Sequence, residues 1–122
     1  MKIRIMGVQP GTVVDGMTNS AYFDRQIELV RQRYDGEALV VFPELMTGIY
    51  FGYVREKRWF QYAEDFLTGP TTTAMLALCR ELNCNICYSL FEKGDGAYYN
   101  TVGLVSPIRG VEIGRASCRE RV

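Results

Sequence analysis

The chain has 122 residues, enough for one small domain, and its 48% hydrophobic and 23% charged residues are ordinary for a globular fold and argue against disorder. Its 14 basic and 14 acidic residues cancel, and no basic run is available to hold a phosphate backbone, so no nucleic-acid partner is expected. Histidine is absent, which removes Ser-His and Cys-His catalysis together with the commonest zinc ligand.

The opening string MKIRIMGVQPG has neither an apolar signal core nor a small-residue cleavage site. No stretch approaches the roughly 18 apolar residues of a membrane helix. The expectation is a cytoplasmic protein without a membrane partner. In that compartment Cys79, Cys84, Cys87 and Cys118 are expected as free thiols rather than a disulfide framework. No metal and no cofactor is expected.

Ile3, Ile5 and Gly7 alternate with Arg4, Met6 and Val8, which predicts a first, largely buried strand from Lys2 to Gln9, ended by Pro10 and Gly11. After the polar loop Thr12 to Thr18, Asn19 or Ser20 is placed to cap a helix. Phe23, Ile27, Val30 and Tyr34 recur at helical spacing and form its apolar face, and Asp35-Gly36 stops it. The apolar run Ala38 to Phe42 predicts a buried parallel strand with Pro43 and Glu44 at its C-terminal end. A long aromatic-rich segment follows, Leu45 to Gly69. Segments of this length in compact domains usually carry function or a short helix. Gly69-Pro70-Thr71-Thr72 opens a second helix over Thr73 to Leu82, with Met75, Leu78, Cys79 and Leu82 facing the core. Strands are predicted over Asn85 to Phe91 and Tyr98 to Ser106, joined by the turn Lys93-Gly94-Asp95-Gly96, and Pro107 to Gly110 turns the chain again. The order predicts an α/β fold with helices packed on one face of a mixed sheet.

Glu112 to Val122, EIGRASCRERV, is charged, lacks a period and follows a turn with nothing to pack on. It resembles the translation of a common short-read sequencing adapter in one reading frame. Residues 112–122 are therefore expected to be an artefactual tail and residues 1–111 part of one domain.

Residues 2–111 resemble the opening of the nitrilase, or carbon-nitrogen hydrolase, family. The pieces that carry the resemblance are KIRIMGVQ, VVFPEL at Val40 to Leu45, AEDFLTGPTT at Ala63 to Thr72, the layout of LCRELNCNICYSLFEKGDG, and Tyr99-Asn100-Thr101. No one piece is decisive, but all occur in order at plausible spacing. The resemblance implies the N-terminal half of an α-β-β-α sandwich and hydrolysis of a nonpeptide carbon-nitrogen bond by a Glu-Lys-Cys triad. In that triad the Glu is general base to the Cys thiol and the Lys stabilises the tetrahedral species. A thioester forms, and water releases the acid.

Glu44 matches the Glu of the triad, whereas the segments that would bring the Lys and the Cys are missing. The resemblance implies a small-molecule amide substrate and a homo-oligomeric parent protein. The loop ELMTGIYFGYVREKRWF looks more like N-carbamoyl amide hydrolases than true nitrilases, the alternative within the enzyme class.

Glu44 is also singled out on physical grounds. A carboxylate just after a buried strand lies where ligands bind in open α/β sheets, and desolvation at that rim suits a general base. A surface Glu paired with an Arg is the plainer alternative. Tyr50 and Phe51 are candidate substrate-lining residues, with packing under the long loop as the alternative.

The string ICYSLFE superficially looks like a nucleophile motif, but it runs into a turn and a strand rather than a helix, so Cys87 is expected in the core. Cys84-Asn85-Ile86-Cys87 is a lone C-x-x-C without a second ligand pair. A non-catalytic binding or redox module built on it is the competing reading from another class. The chain as written is expected to be inactive alone, with an exposed sheet edge and apolar face that favour association.

Overall fold

A computed structural model describes residues 2–11, 18–48, 57–114 and 119–120. The elements in chain order are β1 (Ile5–Gly7), α1 (Asn19–Arg33), β2 (Leu39–Val41), a 3-10 turn (Lys57–Tyr62), α2 (Pro70–Leu82), β3 (Asn85–Lys93), β4 (Tyr98–Ser106), β5 (Gly110–Gly114) and β6 (Arg119–Glu120). The sheet runs β1-β2-β3-β4-β5, and β6 also pairs with β4. β1, β2 and β3 are parallel, whereas β4 is antiparallel to β3, β5 and β6. This is the mixed sheet that the order of elements predicts.

Both helices cover the same face. Val30 from α1 and Met75, Leu78 and Cys79 from α2 join Val40, Ile86, Tyr88, Leu90 and Val105 of the sheet in one buried cluster. A side-chain bond from Arg31 Nε to Glu81 Oε2, 2.8 Å, ties the two helices at the surface. An exposed pair of this kind adds little to stability. On the opposite face, Val41, Cys87 and Leu104 are only half-buried, and Val102 is exposed. No helix among the described residues is long and apolar enough to cross a membrane.

Three expectations need correction. β1 is shorter than Lys2 to Gln9, and it is not buried, with Ile3 and Ile5 63% and 60% exposed. The strand lies at the end of the sheet order, and these two side chains point to the uncovered face, so alternation alone overstated its burial. Residues 112–114 do have something to pack on, because β5 pairs Glu112 with Leu104 and Gly114 with Val102. Thr18, not Asn19 or Ser20, caps α1, its Oγ1 accepting from Ala21 N at 3.1 Å. The helix stops before Gly36, whose φ of +81° is left-handed backbone that favours glycine.

The start of α2 lacks a cap of its own, since Gly69 has no side chain to offer. Glu64 supplies it from outside, accepting from Thr71 N at 2.8 Å and from Thr71 Oγ1 at 2.9 Å. The segment carrying Glu64 is held in turn by Glu64 N to Phe91 O, 3.0 Å, and Lys93 N to Glu64 O, 2.8 Å. Replacing Glu64 by Ala is expected to cost about 1 kcal/mol in urea unfolding, the usual loss for a helix cap. Burial pushes the Glu64 carboxyl above its ordinary value, against the opposing pull of the two Thr71 donors. A carboxyl raised on folding adds stability below its unfolded value, and that contribution is lost as pH rises through its folded value. Glu64→Gln should therefore flatten stability across that interval while keeping the cap.

Candidate active site

Glu44 lies just past the C-terminal end of β2, where the chain leaves the sheet but keeps its hold on β3. Phe42 N donates to Cys87 O at 2.9 Å, and Met46 N donates to Ser89 O at 3.2 Å. Between these two anchors the backbone turns outward through Pro43 and Glu44, and Leu45 takes a φ of +49°. A non-glycine residue in this region carries about 1–3 kcal/mol of strain and persists only where its surroundings hold it. Here Leu45 is buried, and its N–H donates to Ser89 Oγ at 3.1 Å.

The carboxylate is held from the neighbouring strand. Asn100 Nδ2 donates to Glu44 Oε1 at 2.6 Å, and Ser89 Oγ donates to Asn100 Oδ1 at 3.1 Å. The register of β3 and β4, with Phe91 opposite Asn100 and Ser89 opposite Val102, brings Ser89 and Asn100 onto the face that the helices leave bare. On that face an aromatic group stands beside them. The Phe60 ring lies 4.4 Å from Tyr98 and 6.0 Å from Phe91, and Phe91 and Tyr98 are 5.5 Å apart, centroid to centroid. Apolar walls with a few placed polar groups are the usual make-up of a small-molecule site.

From the helix side, the fully buried Gln26 donates its amide to Met46 O at 2.7 Å and to Tyr22 O at 3.3 Å. This clamps the segment after Glu44 onto α1. Nothing in the spacing of α1 marked Gln26 as buried, because its role depends on a carbonyl 20 residues away.

The placement of Glu44 at the carboxyl edge agrees with the sequence reading, but its desolvation does not. Glu44 is exposed. Tyr50 and Phe51 lie outside the described residues.

Cys79 and Cys84 are buried with the core, but Cys87, which was expected there, is only half-buried, because its register on β3 turns it to the bare face. Burial pushes the Cys87 thiol up, which opposes the thiolate form that a nucleophile needs. Among the described residues no cluster of three metal-ligating side chains forms.

A cleft of about 270 Å³ lies between the end of β1 and α1, lined by residues that include Gly7, Pro10, Arg25, Leu29 and Arg33. It opens between the sheet and the helix, away from the Ser89 and Asn100 side chains, and Glu44 does not line it.

Comparison with known proteins gives these features a family. The carbon-nitrogen hydrolase family model matches residues 3–116. The chain is 29% identical over 103 residues to an N-carbamoylputrescine amidase of Solanum tuberosum, covering 84% of this chain and 34% of that protein. It is 32% identical over 92 residues to an N-carbamoylputrescine amidase of Arabidopsis thaliana, covering 75% of this chain and 30% of that protein. The chain thus spans about a third of the length of these relatives.

Among solved structures, a carbon-nitrogen hydrolase from Helicobacter pylori superposes with a TM-score of 0.75 at 22% identity, covering 91% of this chain and 39% of that one. An N-terminal amidase with a bound Asn-Glu peptide superposes with a TM-score of 0.77 at 16% identity, covering 97% and 27%. At these identities the structural likeness shows the fold, and the family-model match carries the assignment. The chain belongs to the carbon-nitrogen hydrolase family, whose members of amidase and nitrilase type hydrolyse carbon-nitrogen bonds.

Proposed function

We propose that the full protein hydrolyses a small N-carbamoyl compound or amide, with Glu44 as the general base of a Glu-Lys-Cys triad whose other two members lie outside residues 1–111. The observation that carries this reading is a carboxylate at the carboxyl end of a central parallel strand, fixed at 2.6 Å by an amide from β4. In this mechanism Glu44 takes the proton of the Cys thiol, and the thiolate attacks the carbonyl carbon. The Lys stabilises the oxyanion, and the amine or ammonia leaves with a proton. Water, activated by Glu44, then cleaves the thioester. The relatives' names favour an N-carbamoyl amine, which would give the free amine, carbon dioxide and ammonia.

The chain as it stands carries the base alone, so it is expected to be inactive. Residues 1–111 are read as the partial domain and 112–122 as the tail. Homo-oligomeric assembly of the parent and a cytoplasmic location belong to the same proposal.

The test is ammonia release by the full-length protein from an N-carbamoyl amine, a simple primary amide and a nitrile. Turnover fastest on the N-carbamoyl amine supports the reading. Turnover of the nitrile alone would make the protein a true nitrilase. Turnover of the N-carbamoyl amine by the 122-residue chain alone would refute the need for the two further groups.

A further inference from the structure

We propose that Ser89 and Asn100 are positioning residues that form a closed relay around Glu44, fixing which carboxylate oxygen is held and which is left to take the proton. The inference rests on the reading of Glu44 as the base.

The relay follows from proton counting. The Ser89 hydroxyl has one proton. Its Oγ accepts from Leu45 N at 3.1 Å, and its proton goes to Asn100 Oδ1 at 3.1 Å. With Oδ1 occupied as acceptor, the Asn100 amide can present only its NH2 to Glu44, and it does so at 2.6 Å from Oε1. A bond from an amide to an ionised carboxylate is charge-assisted and short, as this one is.

The ring closes through the chain, because Leu45 follows Glu44. Its positive φ belongs to the turn in which Leu45 N meets Ser89 Oγ while the Glu44 carboxylate meets Asn100. Ser89 is therefore the joint that couples the backbone turn to the side-chain amide. It is buried, so water competes weakly for either of its bonds. The relay engages Oε1 and leaves Oε2 as the acceptor for the thiol proton. Asn100 also stands opposite Phe91 and two residues from Tyr98, so the aromatic group limits the room in which the amide could swing.

The amide orientation is what Ser89 supplies. Without the Ser89 hydroxyl, Asn100 Oδ1 loses its donor and the amide is held at its Glu44 end alone. Ser89→Thr keeps the donor and the acceptor, whereas Ser89→Ala removes both. Asn100→Asp places a second carboxylate against Glu44.

The experiment uses the full-length protein selectively labelled with ¹⁵N-asparagine. The Asn100 side-chain amide is expected to show one strongly shifted, slowly exchanging proton. Ser89→Ala should return it to the free-amide position although Asn100 and Glu44 are both intact, and Ser89→Thr should restore it. In steady-state assays Ser89→Ala is expected to lower kcat about 100-fold, the cost typical of a misplacement near 1 Å, with KM within about twofold. Ser89→Thr should recover most of that loss, and Asn100→Asp should lose more than Ser89→Ala.

An Asn100 resonance and a kcat both unchanged in Ser89→Ala overturn the relay while leaving the base reading intact, provided Glu44→Gln is inactive. If Glu44→Gln itself retains activity, the base reading fails and the positioning role fails with it. A resonance lost in Ser89→Ala with kcat unchanged also overturns the role, because the bond would then be structural only.

Discussion

On the proposed mechanism, Glu44→Gln in the full-length protein is expected to lower kcat by about 10²–10⁴-fold, the range that a positioned general base supplies. The substitution isolates the chemistry because it changes little else. Glu44 is exposed, so the carboxylate contributes little to the core. Gln has the same length and can still offer a carbonyl oxygen to Asn100 Nδ2, where Glu44 Oε1 now sits at 2.6 Å. It cannot accept a proton from a thiol. The unfolding free energy should therefore stay within about 0.5 kcal/mol of the parent, as for other surface changes. If substrate binding is not part of the Glu44 role, KM should change little, and the loss should appear in kcat and kcat/KM alike. Activity within threefold of the parent would remove the carboxylate from the mechanism.

The parts of this arrangement that follow from local pattern were legible in the sequence, and the parts that depend on register were not. The helical spacing of Val30 on α1 and of Met75, Leu78 and Cys79 on α2 marked residues that are buried. The run Ala38 to Phe42 marked a parallel strand, and so placed Glu44 at its carboxyl end. Ser89 and Asn100 were different. Each reads as an ordinary polar residue on a strand, and their meeting depends on the pairing of Phe91 with Asn100 across a hairpin. The segment Tyr99-Asn100-Thr101 signalled the family without revealing that its Asn bonds to Glu44.

Glu64 and Gln26 were missed for the same reason, since each acts on backbone groups beyond its own helix or turn. The exposure of β1 and of Glu44 was misread because burial on a sheet depends on what covers each face. The pattern of one strand cannot report that. The fold class, by contrast, needed only the order of elements, and it agrees with the observed sheet.

Gly103→Ala tests the packing beneath the same strand, and its sign is diagnostic. Gly in a strand interior is ordinarily worse than Ala by roughly 0.5–1 kcal/mol, because it has more freedom to lose on folding. On that ground alone the substitution would stabilise. Gly103, however, lies on the helix face of β4, directly opposite Tyr88. A Cβ added there would come within 2.5 Å of Phe66 Cζ and 2.7 Å of Tyr88 Cζ.

Neither ring has room to retreat. Phe66 and Tyr88 are buried and stack at 5.8 Å with an interplanar angle of 9°. The Tyr88 hydroxyl is tied at 2.7 Å to Thr72 Oγ1, at the start of α2. Displacing Tyr88 would therefore strain that bond and the helix it anchors. Overpacking of this kind costs about 1–3 kcal/mol, which outweighs the entropic gain.

The expected result is a lower urea midpoint for Gly103→Ala and a still lower one for Gly103→Val. Phe66→Leu should recover part of the Gly103→Ala loss when the two are combined, since contacting residues couple in a double-mutant cycle. A Gly103→Ala protein as stable as the parent would mean that the two rings yield. The close fit of β4 against the Phe66 and Tyr88 rings would then not be what holds α2 in place through the Tyr88–Thr72 bond.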